Sequence, residues 1–181
     1  MSLERWLREL LVGLIAEKRW KGRGCTDENV LMHAFKMSWV VQFMLALEEE
    51  FGDLTDIRKY VILQAANNHD IGESVNGDVL FDDKTEEDER EEVEAYQKLM
   101  RAIVPADCER HFPLPPDGAP AGVFTDREIE FWDVCEKVGY LLFIVEEVRL
   151  GHPTFSTEEK RWRDWLENYR HYAGVCHFLD Q

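Results

Sequence analysis

The sequence predicts an all-α protein, a bundle of about six helices with no significant sheet. Apolar residues recur at three- and four-residue spacing almost throughout, and no segment alternates with period two over a convincing length. Capping signals of a Ser or Thr followed three residues later by an acid stand ahead of the periodic segments, and Gly or Pro stands after them.

Trp6, Leu10, Leu11 and Leu14 mark a first amphipathic helix over about residues 3–18. The stretch RWKGRG at 19–24 reads as a basic turn. A second helix begins near Thr26–Asp27 and runs to about Glu50, apolar on several sides as a helix in the middle of a domain is. Gly52–Asp53 ends it, and Thr55 or Asp56 caps a third helix that finishes near His69–Asp70. Residues 71–84 read as a loop. Thr85-Glu86-Glu87-Asp88 has capping-box spacing and opens a strongly acidic helix to about Val104. The proline-rich stretch 105–124 is the longest irregular segment. Thr125 and Glu128 open a long helix to about Leu150, closed by Gly151 and Pro153. Ser156-Thr157-Glu158-Glu159 starts a last helix over about 157–179. Its aromatic residues Trp162, Trp165, Tyr169, Tyr172 and Phe178 either pack on the core or form an interface between copies. No repeat or linker divides the chain, so residues 1–181 read as one domain.

With 181 residues, 45% of them hydrophobic and 32% charged, the chain is long and apolar enough for a substantial core. Its net charge of −16 argues against nucleic-acid binding, which draws most of its affinity from a basic face. Cys25, Cys108, Cys135 and Cys176 form no CxxC pair and read as reduced thiols. The charged N-terminus lacks a small-residue cleavage site, and no stretch approaches membrane length, so the expectation is a cytoplasmic protein without a membrane partner.

Several polar residues occupy places where apolar ones are expected. His33 lies on a helical row with Met37, Val40, Met44 and Leu47, at offsets of 4, 7, 11 and 14. An imidazole on such a row needs a partner, because leaving it unsatisfied costs about 1–3 kcal/mol. Glu136 lies on the row of Ile129, Trp132, Tyr140 and Phe143, where a lone carboxylate is costlier still. Lys137 is adjacent in sequence but about 100° away around the helix. His69–Asp70 closes a helix whose inner row is Ile62 and Ala65. Any one of these residues alone reads as a satisfied core group. Together, two imidazoles and two carboxylates from three core-facing helices supply what a divalent transition-metal site requires. Manganese, cobalt, iron, nickel and zinc all suit such donors. The acids Glu86, Glu87, Asp88, Glu91 and Glu92 spread around their helix and read as a solvated face, not a pyrophosphatase site.

The segment His69-Asp70-Ile71-Gly72-Glu73, followed by Asn76-Gly77-Asp78, resembles the HD-domain phosphohydrolase motif. With Arg19-Trp20 and Glu28-Asn29-Val30 ahead of His33, it resembles more closely the bacterial 5′-deoxynucleotidase branch, over roughly residues 5–150. The resemblance implies an HD-type helical bundle holding one divalent metal ion through His33, His69, Asp70 and a fourth carboxylate. Glu73 would be the general acid/base, Arg19 and Lys84 would meet the phosphate, Trp20 the base or sugar, and Asp78 the 2′ position. It also implies a homodimer or higher homo-oligomer acting on a small nucleotide, most simply a deoxynucleoside 5′-monophosphate. A deoxynucleoside triphosphohydrolase and a non-catalytic HD protein are the alternatives. Two positions depart from the pattern. The family's fourth ligand is an Asp, and the alignment places Glu136 there, with Asp133 one turn earlier as the alternative. Close relatives carry a phosphate-binding Lys where this chain has Asp133.

Overall fold

The computed structural model describes residues 3–20, 24–54, 56–79, 84–114, 116 and 118–181. The side chain of Trp6, the basic residues Lys21 and Arg23 and the expected cap Thr55 lie outside the described residues. The helices are α1 (Leu3–Ala16), α2 (Val30–Phe51), α3 (Lys59–Asn68), α4 (Glu73–Asn76), α5 (Glu86–Arg101), α6 (Asp126–Arg149), α7 (Ser156–Leu166) and α8 (Ala173–Leu179). Short 3-10 turns stand at Ala106–His111, Pro153–Phe155 and Glu167–Tyr169. The described residues contain no strand beyond one isolated antiparallel bridge, Lys18 to Asn29. The all-α reading holds.

Contacts group the chain into two units, Met1–Phe35 with Gln64–Val123, and Lys36–Leu63 with Phe124–Gln181. In the first unit, Leu10 and Leu14 of α1, Val30 at the start of α2 and Tyr96, Met100 and Val104 from α5 onward form a buried cluster. The row Tyr96–Met100 explains how so acidic a helix stays folded: one stripe in four residues is apolar and faces inward. The capping box is real, with the Asp88 backbone N–H donating to the Thr85 hydroxyl and the Thr85 N–H to the Asp88 carboxylate at 2.8 Å. Side chains pin the irregular segment that follows. Tyr96 donates its hydroxyl to the Phe112 carbonyl at 2.8 Å, Gln64 donates to His111 at 2.7 Å, and Asn68 donates to Pro113 at 3.1 Å.

In the second unit, small residues on α6 and α8 admit the large side chains of α2. A Cβ at Gly139 would stand 2.3 Å from the Met37 sulfur, and one at Gly174 would stand 2.4 Å from that of Met44. Phe131, Trp132 and Tyr172 are fully buried, each contributing about 1.5–3 kcal/mol. The aromatic tail therefore packs within its own unit, with Phe131 and Tyr172 rings 5.5 Å apart edge to face.

Four readings need correction. The second helix starts at Val30 rather than near Thr26–Asp27, because Asn29 is the residue that caps it, accepting from the Met32 N–H at 2.9 Å. The loop at 71–84 contains the short helix α4. The last helix is not continuous over 157–179: it breaks into α7, a 3-10 turn and α8. Finally, α2 is long and apolar enough to cross a membrane by length and composition, although no such stretch was expected. Val30, Met37, Val41 and Met44 on it are buried, while Phe35, Trp39 and Phe43 are exposed.

Candidate metal centre

The first unit gathers His33, His69 and Asp70 at one place. His33 lies in the first turn of α2, and His69–Asp70 follow directly on α3. Donor atoms of His33, His69 and Asp70 all fall within 4.8 Å of one another. Both imidazoles turn Nε2 toward the same carboxylate oxygen, with Asp70 Oδ2 at 3.0 Å from His69 and 3.6 Å from His33. The His69 ring is held from behind, its Nδ1 lying 2.8 Å from the Ala66 carbonyl. A carbonyl only accepts, so Nδ1 carries a proton, and Nε2, which faces Asp70, becomes free to serve as a ligand once its own proton leaves. Two imidazole nitrogens and a carboxylate are donors that divalent transition metals favour, so the residues present fit such an ion.

Glu73 opens α4 one turn beyond Asp70 and is 4% exposed. Its approach depends on Gly72: a Cβ there would stand 2.4 Å from the Glu92 backbone carbonyl, so only glycine lets α4 press on α5 this closely. Arg19 links the acids. Its Nη1 lies 3.0 Å from Asp70, 3.2 Å from Glu73 and 3.3 Å from Asp78. Asp78 is placed by its own backbone, whose N–H donates to the Glu17 carboxylate at 2.9 Å. Lys84 donates to Glu92 at 2.7 Å. Trp20 donates its indole N–H to Glu28 at 3.3 Å and holds a left-handed backbone, φ 58°, which costs a non-glycine residue about 1–3 kcal/mol. That strain is held by the strand-like clip around it, in which Arg19 N–H bonds Glu28 O at 2.9 Å and Val30 N–H bonds Glu17 O at 3.1 Å.

The electrostatics separate the two central acids. Burial opposes ionisation of Asp70, but the charges of His69, Arg19 and His33 and the His69 hydrogen bond outweigh it and hold the carboxyl below its ordinary range. Glu73 goes the other way. Burial, with the charges of Asp70, Asp78 and Glu92, raises its carboxyl well above that range, against the pull of Arg19. Asp70 thus stays ionised, and Glu73 beside it holds a proton more tightly than usual. Lys84 remains charged despite burial, because the hydrogen bond and charge of Glu92, with Glu73 and Asp70, outweigh desolvation.

Sequence reasoning placed Glu92 on a solvated face, and the structure corrects it: Glu92 is half-buried and fixes Lys84. The signal was available, since Glu92 stands four and eight residues before the buried Tyr96 and Met100. Glu28 and Glu17 also carry site contacts that their motif positions did not assign. Glu136 and Asp133 lie on α6 in the second unit. Lys137 does reach Glu136, at 3.5 Å, contrary to the expectation from the helical wheel; its long stem spans the 100° offset and also lays the ammonium 5.1 Å from the Tyr140 ring centre.

Solved structures share this fold. An HD-domain phosphohydrolase from Listeria innocua superimposes with a TM-score of 0.73 at 23% identity, covering 100% of this chain and 87% of that one. A conserved hypothetical protein from Pyrococcus furiosus superimposes at 0.63 and 18% identity, covering 93% of this chain and 99% of its own. A search of curated proteins returned no match. The superpositions show that this chain shares their all-α fold, and within it His33, His69 and Asp70 offer donors that could hold a metal ion. A sequence profile of the YfbR-like 5′-deoxynucleotidases matches residues 9–181, and the chain belongs to that family.

Proposed function

We propose that this protein removes phosphate from deoxynucleoside 5′-monophosphates, working as one HD domain in a homodimer or higher homo-oligomer. The convergence of His33, His69 and Asp70 beside Glu73 and Arg19 carries the reading. In it, His33, His69 and Asp70 hold a divalent cation, with Glu136 as fourth donor and Asp133 as its alternative. When bound, such an ion polarises the phosphoryl oxygen and acidifies water at neutral pH. Glu73 takes the proton from the water that attacks phosphorus and returns it to the departing 5′-oxygen, leaving nucleoside and phosphate. Arg19 and Lys84 orient the phosphate, the first through a planar fork and the second as a point charge. Trp20 contacts the base or sugar, and Asp78 discriminates at the 2′ position.

The test is a panel of deoxy- and ribonucleoside 5′-monophosphates and deoxynucleoside triphosphates, assayed with manganese, cobalt, nickel or zinc. Deoxynucleoside monophosphates should be consumed preferentially. Glu73→Gln should lower kcat by about 10²–10⁴-fold while metal retention is unchanged. Metal-loaded wild type that leaves every deoxynucleotide intact would overturn the proposal.

A further inference from the structure

His69 owes its orientation to a backbone carbonyl, and His33 faces a different kind of support. Its Nδ1 lies 3.8 Å from Glu28 Oε2, on the opposite side of the ring from Asp70. The same oxygen accepts the Trp20 indole N–H at 3.3 Å. Glu28 is 2% exposed, so its carboxylate depends on nearby donors for the solvation it lost. Its backbone is committed as well, the carbonyl accepting from Arg19 N–H at 2.9 Å. One residue thus bonds Arg19 by main chain and Trp20 by side chain, with His33 at ion-pair distance from the same carboxylate.

We infer that Glu28 is a positioning residue that aims His33 Nε2 and couples that aim to the Trp20 indole. This rests on the proposed metal site and deepens it. A carboxylate that accepts the second N–H of a ligating imidazole fixes its tautomer and orientation, and its loss typically costs 10–100-fold in metal affinity; Glu28, 3.8 Å from Nδ1, stands a small side-chain shift from that bond. The indole N–H sharing that oxygen holds the carboxylate in place, and Trp20 makes this bond from a left-handed backbone. Movement of Trp20 would therefore be felt at His33.

Cobalt(II) alone serves as the probe, because its visible absorption reports ligand geometry without turnover. Wild type should bind it with a histidine-type spectrum. Glu28→Ala should bind 10–100-fold more weakly with a changed spectrum, and Glu28→Gln, which keeps an acceptor oxygen, should recover most of the affinity. Trp20→Phe, lacking the N–H, should weaken binding several-fold alone and add nothing to Glu28→Ala, the non-additivity expected of partners in one network. Thermal melts of the metal-free proteins show which variants are folded; Glu28→Gln decides the matter if Glu28→Ala is not. A folded Glu28→Ala with wild-type affinity and spectrum overturns the inference and leaves the metal site standing, as does additivity of the two changes for the coupling. If Glu28→Gln is the folded variant, loss as large as that of His33→Ala overturns the claim that an acceptor oxygen suffices. Wild type that binds no cobalt overturns both.

Discussion

Glu128 offers the sharpest quantitative check on the fold. It is fully buried at the start of α6, and four donors meet its carboxylate: Arg58 N–H at 2.9 Å, Arg58 Nε at 2.8 Å, Arg58 Nη2 at 2.6 Å and Thr125 N–H at 3.0 Å. Burial alone would raise its pKa, but the bonds to Arg58 and Thr125 prevail and bring it from 4.5 down to about 2. A fall of that size corresponds to about 3 kcal/mol of stability at neutral pH, at 1.36 kcal/mol per unit. Because the Arg58 side chain is 51% exposed, solvent screening trims this to about 2 kcal/mol. Glu128→Gln keeps one acceptor oxygen but turns an amide N–H₂ toward the guanidinium, placing donor against donor. The variant should lose about 2 kcal/mol at pH 7, or roughly 4–8 °C in Tm for a chain of this size. The sign in acid follows from the depressed pKa. The contribution is complete above the unfolded value of 4.5 and fades as pH falls toward about 2. Urea titrations at pH 7, 4 and 3 therefore should show the gap between wild type and variant narrowing steadily, other titrating groups being common to both. A gap that is absent at pH 7, or that stays constant to pH 3, would refute the assignment.

Two further outcomes bear on the site. Gly72→Ala would force a Cβ into the Glu92 carbonyl, so it should cost about 1–3 kcal/mol in chemical denaturation and displace Glu73; a variant with wild-type stability would show the α4–α5 approach to be looser than 2.4 Å implies. Manganese or cobalt at a hundred times its Kd should stabilise wild type by about 2.7 kcal/mol, and His69→Ala should lose this shift in a thermal melt. Retention of the full shift by His69→Ala would place the metal elsewhere.

How much of this was legible in the sequence follows from how far each signal reaches along the chain. His33, Met37, Val40 and Met44 share one helix face, so periodicity alone put the imidazole inside, and all four are buried. The two capping boxes were likewise legible, since each is complete within four residues. Boundaries set by contacts between distant segments were not. The bridge from Lys18 to Asn29 occupies residues that local propensity would give to a longer α1 and a longer α2. The break after Leu166 has no proline or glycine at it to announce it. Glu92 escaped notice because eight acids crowd the surrounding residues and mask its register with Tyr96, a case of composition hiding periodicity.

The charges around Arg19 change what a mutational result there would mean. The resemblance assigns Arg19 to the phosphate, and in the structure its Nη1 lies within 3.3 Å of three carboxylates, its side chain only 9% exposed. Removing one partner of a buried charge cluster leaves the rest uncompensated, at a cost of about 3–5 kcal/mol, which exceeds what a single phosphate contact returns. Asp70 would lose one of the charges that keep it ionised, and Glu73 the one that opposes its protonation. Loss of activity in an Arg19→Ala protein is thus the expected result whether or not Arg19 ever meets substrate. Lys is the informative replacement: it preserves the positive charge among the acids while giving up the planar fork, so a fall in substrate affinity at unchanged stability would isolate the phosphate contact from the electrostatic one.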